Sequence, residues 1–367
     1  MKNTPVTCGY VPLVDSAPLI IAKELRFAAD EGIDLSLDPQ PSWSALRDRL
    51  SFGQFDFAHM LSAMPIAMAL GLGGAQTQID ALMVLAVNGN VIGASATLAE
   101  RMQATGWVNS FDNPAATSAT ILAVTDTPLR IGVPFPFSMH RLVIEYWLKK
   151  DPAFDPANVE IITIPPPQMA DSLRDKRIDM FCVGEPWGSV AVQNSGATLV
   201  LPSAAIWQYA PEKVLAARHD WIAQNTDTSC AMIRAVYKAA QWLAQPTNTP
   251  LAVEILASSA HLDLPDHAIE PALTWQITTQ FGQDPKPIDR FLGFYDHDAN
   301  APRRSHARWI AEHLTAHGSQ TDAHLCFRSD LYHTALSTLH RYDHATTENV
   351  ILAPQDYADG SIFNITP

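Results

Sequence analysis

The chain holds 367 residues, enough to bury a large core in about two domains. Its 47% hydrophobic and 17% charged content is that of an ordinary globular protein, and it contains no low-complexity tract. A net charge of -14 repels phosphate backbones and anionic membranes, so direct nucleic-acid binding is disfavoured and any captured anion needs a local pocket of donors.

Residues 6–12 read as a first strand, and Asp15-Ser16-Ala17-Pro18 caps a helix over 19–30 that Gly32 ends. A second strand spans 33–37, and Ser42 opens a short helix over 43–50. A third strand spans 55–60, a helix 63–70, and a buried strand 83–87 that stops at the turn signature Asn88-Gly89-Asn90. Alternation of this kind predicts a parallel sheet with crossover helices. The pattern then restarts: residues 92–94 lead into a crossover, followed by helices over 98–104 and 115–123, a strand over 129–133 and an amphipathic helix over 139–150. A strand over 159–164, stopped by Pro165-Pro166-Pro167, and a helix over 168–174 follow.

The stretch Phe181-Cys182-Val183-Gly184-Glu185-Pro186-Trp187-Gly188 carries a strand over 178–183 through Gly184 into a helix with Pro186 in its first turn. Such a junction presents free N–H groups and a positive dipole end to a small anion. An ordinary strand–helix turn is the alternative reading. Beyond about 215 the pattern is helical, over 228–244, 251–259, 266–279, 304–317 and 329–340, with Pro246, Pro250 and Pro265 as breaks. The expected architecture is two α/β lobes. Lobe II is 91–202; lobe I is 1–90 plus 203–367 and includes the helical C-terminal region.

A cleft between two lobes is lined by strand–helix junctions, here Trp43, Asn88 to Asn90, His140, Gln168 and Gly184, with Lys213 arriving from the loop after Trp207. His140 stands at a helix start and can donate to an anion; a capped surface histidine is the competing reading. For Lys213 the competing reading is a solvated ion pair with Glu212. His306, His313 and His317 share one helical face, a metal clip that the spacing does not favour. Cys8, Cys182, Cys230 and Cys326 form no CxxC pair, so neither a disulfide framework nor a zinc site is favoured. No nucleophile, phosphate-loop or dinucleotide motif stands in a strand–helix setting, which places binding ahead of catalysis and predicts no cofactor. No run of 18 apolar residues could span a bilayer. Met1-Lys2-Asn3-Thr4-Pro5 leads directly into the first strand, so the expectation is a cytoplasmic protein, with a trimmed leader as the alternative.

Several motifs agree in order: Gly9-Tyr10 with Asp15-Ser16-Ala17-Pro18, Ser42-Trp43 with Arg47-Asp48, His140 with Tyr146-Trp147, Pro165-Pro166-Pro167-Gln168-Met169, the Gly184 stretch, and Pro211-Glu212-Lys213. Together they resemble the nitrate/bicarbonate substrate-binding proteins of ABC transporters, over about 1–245. The resemblance implies a type II periplasmic-binding-protein fold and a nitrate or nitrite pocket made by Trp43, Asn90, His140, Gly184 and Lys213, with no metal. In bicarbonate-binding relatives an acidic residue and calcium replace the lysine. Asn90 stands where the family typically has a glutamine, one methylene longer, which leaves nitrite or a water-bridged contact as alternatives. The resemblance further implies a cytoplasmic nitrate/nitrite sensor that sequesters an antiterminator carrying an ANTAR domain and releases it on anion binding. The alternatives are a nitrate-binding transporter component and, more remotely, an enzyme of the thiamine-pyrimidine synthase family that shares the fold.

Overall fold

The computed structural model describes residues 3–74, 77–295, 299–315 and 322–339. The first run of elements is β1 (Thr4–Tyr10), a 3-10 turn at Val14–Ser16, α1 (Ala17–Glu24), α2 (Phe27–Asp30), β2 (Ile33–Pro39), α3 (Trp43–Ser51), β3 (Phe57–Leu61), α4 (Ala63–Ala69) and β4 (Ile79–Asn88). The second is β5 (Asn90–Ala94), α5 (Ala96–Ala104), α6 (Pro114–Val124), β6 (Leu129–Val133), α7 (Met139–Lys149), β7 (Val159–Thr163), α8 (Met169–Arg174), β8 (Met180–Gly184), α9 (Trp187–Ser195) and β9 (Thr198–Pro202). The chain returns through β10 (Pro211–Arg218) and α10 (His219–Gln224). It then continues as α11 (Thr226–Leu243), α12 (Thr249–Ala257), α13 (Asp266–Thr274), α14 (Arg304–Leu314) and α15 (Ser329–Leu336).

Besides a two-stranded ribbon of Gln276–Ile277 with Lys286–Pro287, the described residues form two larger sheets that share one plan. The first runs β4-β10-β3-β1-β2, with the two-residue strand Leu292–Gly293 added beside β4; the second runs β7-β6-β8-β5-β9. In each, three strands are parallel and one strand, β10 or β5, lies antiparallel between neighbours. Those two reversed strands are the ones that arrive directly from the other sheet. Both crossovers are therefore short and adjacent to the sheet centres. Asn88 ties them together: its side chain donates to the Gln208 carbonyl and, at 3.2 Å, to that of Arg290, and accepts from the Ala210 N–H at 3.2 Å. Asn88 holds a left-handed φ of 59°, which an asparagine tolerates better than most residues.

Three expectations need correction. The helix expected over 19–30 is broken at Arg26, whose φ of 65° separates α1 from α2 so that each can pack on α11. Residues 92–94, expected to lead into a crossover, belong to β5, a buried strand. Lys213 lies not in a loop but in β10, a central strand buried for most of its length. The adjacent charges of Glu212 and Lys213 hide that strand from any hydrophobic alternation, because they face each other inside rather than water.

Candidate functional site

Short local rules place the side chains. Ser42 caps α3 by accepting from the Ala45 N–H at 3.2 Å, which fixes Trp43 as the first helical residue. Ser138 caps α7 in the same way through Arg141 N at 3.3 Å, and His140 follows one residue inside. Asn90 opens β5 and pairs in register with Gly184, the last residue of β8. Lys213 pairs with Leu61 of β3 and Ala86 of β4. These positions lie at the carboxyl ends of the parallel strands or at the starts of the reversed ones, where open α/β sheets gather ligands.

The structure brings all five together, and adds three residues that the sequence reading did not select: Asp15, His59 and Glu212. Lys213 Nζ stands 2.8 Å from Asp15 Oδ2 and donates to Glu212 Oε1 at 3.0 Å. It also lies 5.5 Å from the centre of the Trp43 ring. Asn90 Nδ2 donates to Glu212 Oε2 at 2.7 Å. His140 Nδ1 is 3.1 Å from Glu212 Oε1, and His59 Nε2 is 3.1 Å from Asp15 Oδ1. The Trp43 and His59 rings are 5.5 Å apart. Gly184 completes the wall, since a Cβ there would stand 3.4 Å from Asn90 Oδ1 and 3.5 Å from Asp15 Oδ2. Every member with a side chain is at most 3% exposed.

Lys213 is thus neither the solvated lysine of the competing reading nor a lone cation, because two buried carboxylates face its ammonium. Burial alone would raise the Asp15 carboxyl, but Lys213 and His59 outweigh it and hold it below the usual carboxylate range. Burial pushes the Glu212 carboxyl up, against the pull of Lys213 and Asn90. The Lys213 ammonium, which burial disfavours, is held charged by Asp15 and Glu212. Burial, and then the Lys213 charge, press the His140 imidazole well below its ordinary value. His59 is lowered as well, again chiefly by burial.

Several buried polar atoms of this cluster have no hydrogen-bond partner among the described residues: Trp43 Nε1, Asn90 Oδ1, His140 Nε2 and His59 Nδ1. Leaving such a group unmade costs about 1–3 kcal/mol, so so many in one place mark a position for a guest. Trp43 Nε1–H, an imidazole N–H and the remaining N–H of Lys213 are each of the type that donates to a small oxyanion.

The Gly184 junction differs from expectation in one respect. Pro186 precedes α9 rather than filling its first turn, and the N–H of Ser189 is taken at 3.1 Å by the carboxylate of Glu185. The helix N-terminus therefore already holds an internal carboxyl group, and Gly184 contributes by its closeness rather than by a vacant helix end. Of the histidines considered as a metal clip, His306 packs against Trp207 and His313 bonds the Trp309 carbonyl at 2.8 Å; His317 lies outside the described residues. No group of three or more His, Cys, Asp or Glu positioned to hold a metal occurs among the described residues. A cavity of about 840 Å3 opens elsewhere, beside the crossovers, between Asn88, Tyr209, Asp266, Trp275 and Phe294. It is lined by none of the clustered residues, and the chemistry directs attention to the cluster rather than to the larger space.

The profile of the NMT1-like family matches residues 1–257. The chain belongs to the NMT1-like family. Among its relatives is the nitrate/nitrite binding protein NrtA of Synechococcus elongatus, 31% identical over 315 residues, which cover 83% of this chain and 70% of that protein. The nitrate import ATP-binding protein NrtC of Synechocystis sp. is 30% identical over 324 residues, 87% of this chain. This chain spans about half of that longer relative, 47% of its length. The crystal structure of the periplasmic nitrate-binding protein NrtA from Synechocystis PCC 6803 superposes with a TM-score of 0.81 at 27% identity, over 98% of this chain and 92% of that one. The two-lobed α/β periplasmic-binding-protein fold expected from the sequence is the fold of this NMT1-like protein. The names of these relatives describe binding and import.

Proposed function

We propose that this protein binds nitrate or nitrite between its two sheets, with Trp43, Asn90, His140, Gly184 and Lys213 forming the pocket. The observation that carries the reading is the set of orphaned donors, Trp43 Nε1 and His140, beside a buried ammonium in a site with almost no exposure. The names of the NrtA relatives support the same ligand class. An anion reaches so enclosed a position only when the lobes separate, so binding and closure are one event. Calorimetric titration with nitrate, nitrite, bicarbonate and sulfate tests this. Heat is expected for nitrate or nitrite alone: one ammonium already shared between two carboxylates cannot also neutralise the sulfate dianion, and Lys213 stands where the resemblance associates bicarbonate binding with an acidic residue and calcium. A saturable sulfate signal, or a bicarbonate signal that requires calcium, would replace the proposed ligand.

The use made of closure is a second layer of the proposal. In the sensor reading, the protein is cytoplasmic and the closed form releases an ANTAR-domain antiterminator that the open form holds. The ligand must then separate the two forms by roughly 3–5 kcal/mol, within reach of a few charge-assisted hydrogen bonds made only on closure. In the transport reading, which the relatives' names support, closure presents the anion to a membrane permease. Co-purification with the antiterminator, lost on adding nitrate, is expected for the sensor; no association with or without the anion rejects it.

A further inference from the structure

The cluster holds one more negative group than its single ammonium can balance, and this inference rests on the anion-binding reading above. Asp15 and Lys213, 2.8 Å apart, form a neutral pair. Glu212 is left over. The groups that face it are Lys213 beside it on β10, Asn90 from β5, His140 from α7 and Asp15 from the turn Val14–Ser16, with the Cys182 thiol of β8 also within its field; His59 of β3 lies behind Asp15. An anion closing onto this site would put a second uncompensated negative charge into a space from which water is excluded.

We propose that the anion enters together with one proton, taken up by the buried pair Glu212–His140. The proton leaves hydronium or the buffer acid, its O–H bond breaks, and a new O–H bond forms on the Glu212 carboxylate or a new N–H bond on the His140 ring. No other bond changes. The net charge of the closed site is then the same before and after binding.

The geometry gives the proton a second task. Glu212 Oε1 stands 3.1 Å from His140 Nδ1, and Nε2 of that ring has no hydrogen-bond partner among the described residues. With one proton between carboxylate and imidazole, the natural place for it is Nδ1, facing the carboxylate, which leaves a lone pair on Nε2. A lone pair repels an anion. With a second proton in the pair, a neutral Glu212 can donate to Nδ1 while Nε2 carries the N–H; an imidazolium beside a carboxylate presents the same Nε2–H. Either arrangement turns His140 into a donor. Burial, which raises the Glu212 carboxyl and lowers the His140 imidazole, favours the proton on Glu212.

The test is nitrate calorimetry on the full chain at a series of pH values between about 6 and about 8.5, each in two buffers of different ionisation heat. Nitrate itself stays fully ionised over that range, so any proton exchanged belongs to the protein. Uptake of about one proton per nitrate, with Kd rising about tenfold per pH unit on the alkaline side, is expected. Glu212→Gln keeps the shape and the acceptor oxygen but removes the titration, and should bind with a Kd that varies by less than about twofold over the same range. Wild-type binding with no buffer-dependent heat and a flat Kd overturns the inference while leaving nitrate binding intact. A full slope persisting in E212Q overturns the assignment to Glu212. Absence of nitrate binding at every pH overturns both this inference and the reading beneath it.

Discussion

Trp43 shows how a buried residue can serve the ligand rather than the fold. Its ring is 1% exposed and packs beside His59, yet its Nε1–H has no hydrogen-bond partner among the described residues. Trp43→Phe keeps an aromatic ring in the same place and removes that donor, at the cost of some buried volume. Nitrate affinity should then fall by about tenfold to a hundredfold, the range for a hydrogen bond to a charged acceptor, while chemical denaturation shows a change under about 1.5 kcal/mol. An equal loss of stability with unchanged affinity would make the indole a structural residue only. Lys213 is the opposite case. Replacing it with methionine strands Asp15 in the interior without its cation, so the folded state should lose about 3–5 kcal/mol in urea denaturation, and lost binding in that variant would not by itself identify the pocket. Trp43, Asn88 to Asn90, His140, Gln168, Gly184 and Lys213 are legible because each stands at a visible boundary (a serine cap, a turn, a glycine break, a Pro-Glu-Lys string), and the family resemblance narrows them to Trp43, Asn90, His140, Gly184 and Lys213. Asp15 was legible only as a capping residue and Glu212 only as a surface partner, since nothing local says that their true neighbours come from distant strands. His59 carried a weak signal, an imidazole at an inward position of an apolar strand.

At the scale of elements, the junction between β8 and α9 supplies a pH test that is independent of the ligand. Burial pushes the Glu185 carboxyl up to about 7 from an ordinary value of 4.5, with the Ser189 N–H holding it back only in part. A carboxyl raised in the folded state contributes stability below its unfolded pKa and loses it as pH rises through the folded value. The wild type should therefore lose about 3 kcal/mol between pH about 4.5 and about 7 that Glu185→Gln does not lose, as read by urea denaturation across that window. Parallel curves for the two proteins would contradict the account of Glu185 as a neutral cap on α9. The reversed strands explain what the sequence hid at this scale. Periodicity marks most parallel strands because their runs of Val, Ile and Leu are continuous. In β10 two charges stand at the start of the run, and β5 begins at Asn90, inside the turn signature that ends β4 at Asn88. The break at Arg26 was equally invisible, since the residues on either side keep a helical pattern.

For the whole molecule, contacts span the two lobes both at the site and away from it, where the Leu199 N–H donates to the Thr279 carbonyl at 2.8 Å and Tyr146 of α7 packs edge-on against Trp309 of α14, ring centres 5.7 Å apart. The Val14 N–H donates to the Glu185 carbonyl at 3.0 Å, Asn90 reaches Glu212, and Arg47 stands 5.9 Å over the Phe135 ring. The crossovers, by contrast, are fastened by Asn88. Opening and closure about the crossovers would have to break and remake the contacts on the far side of them. Small-angle scattering should give a radius of gyration near about 21 Å with saturating nitrate and a larger value without it; identical profiles would argue against a binding-driven closure. The two-lobed plan was legible because the α/β alternation restarts after Asn88-Gly89-Asn90. The single most direct measurement of the central claim is the calorimetric titration of nitrate into the wild type and Trp43→Phe side by side. The account predicts one saturable site in the wild type, weakened at least about tenfold in the variant. Equal binding in both proteins, or none in the wild type, would contradict it.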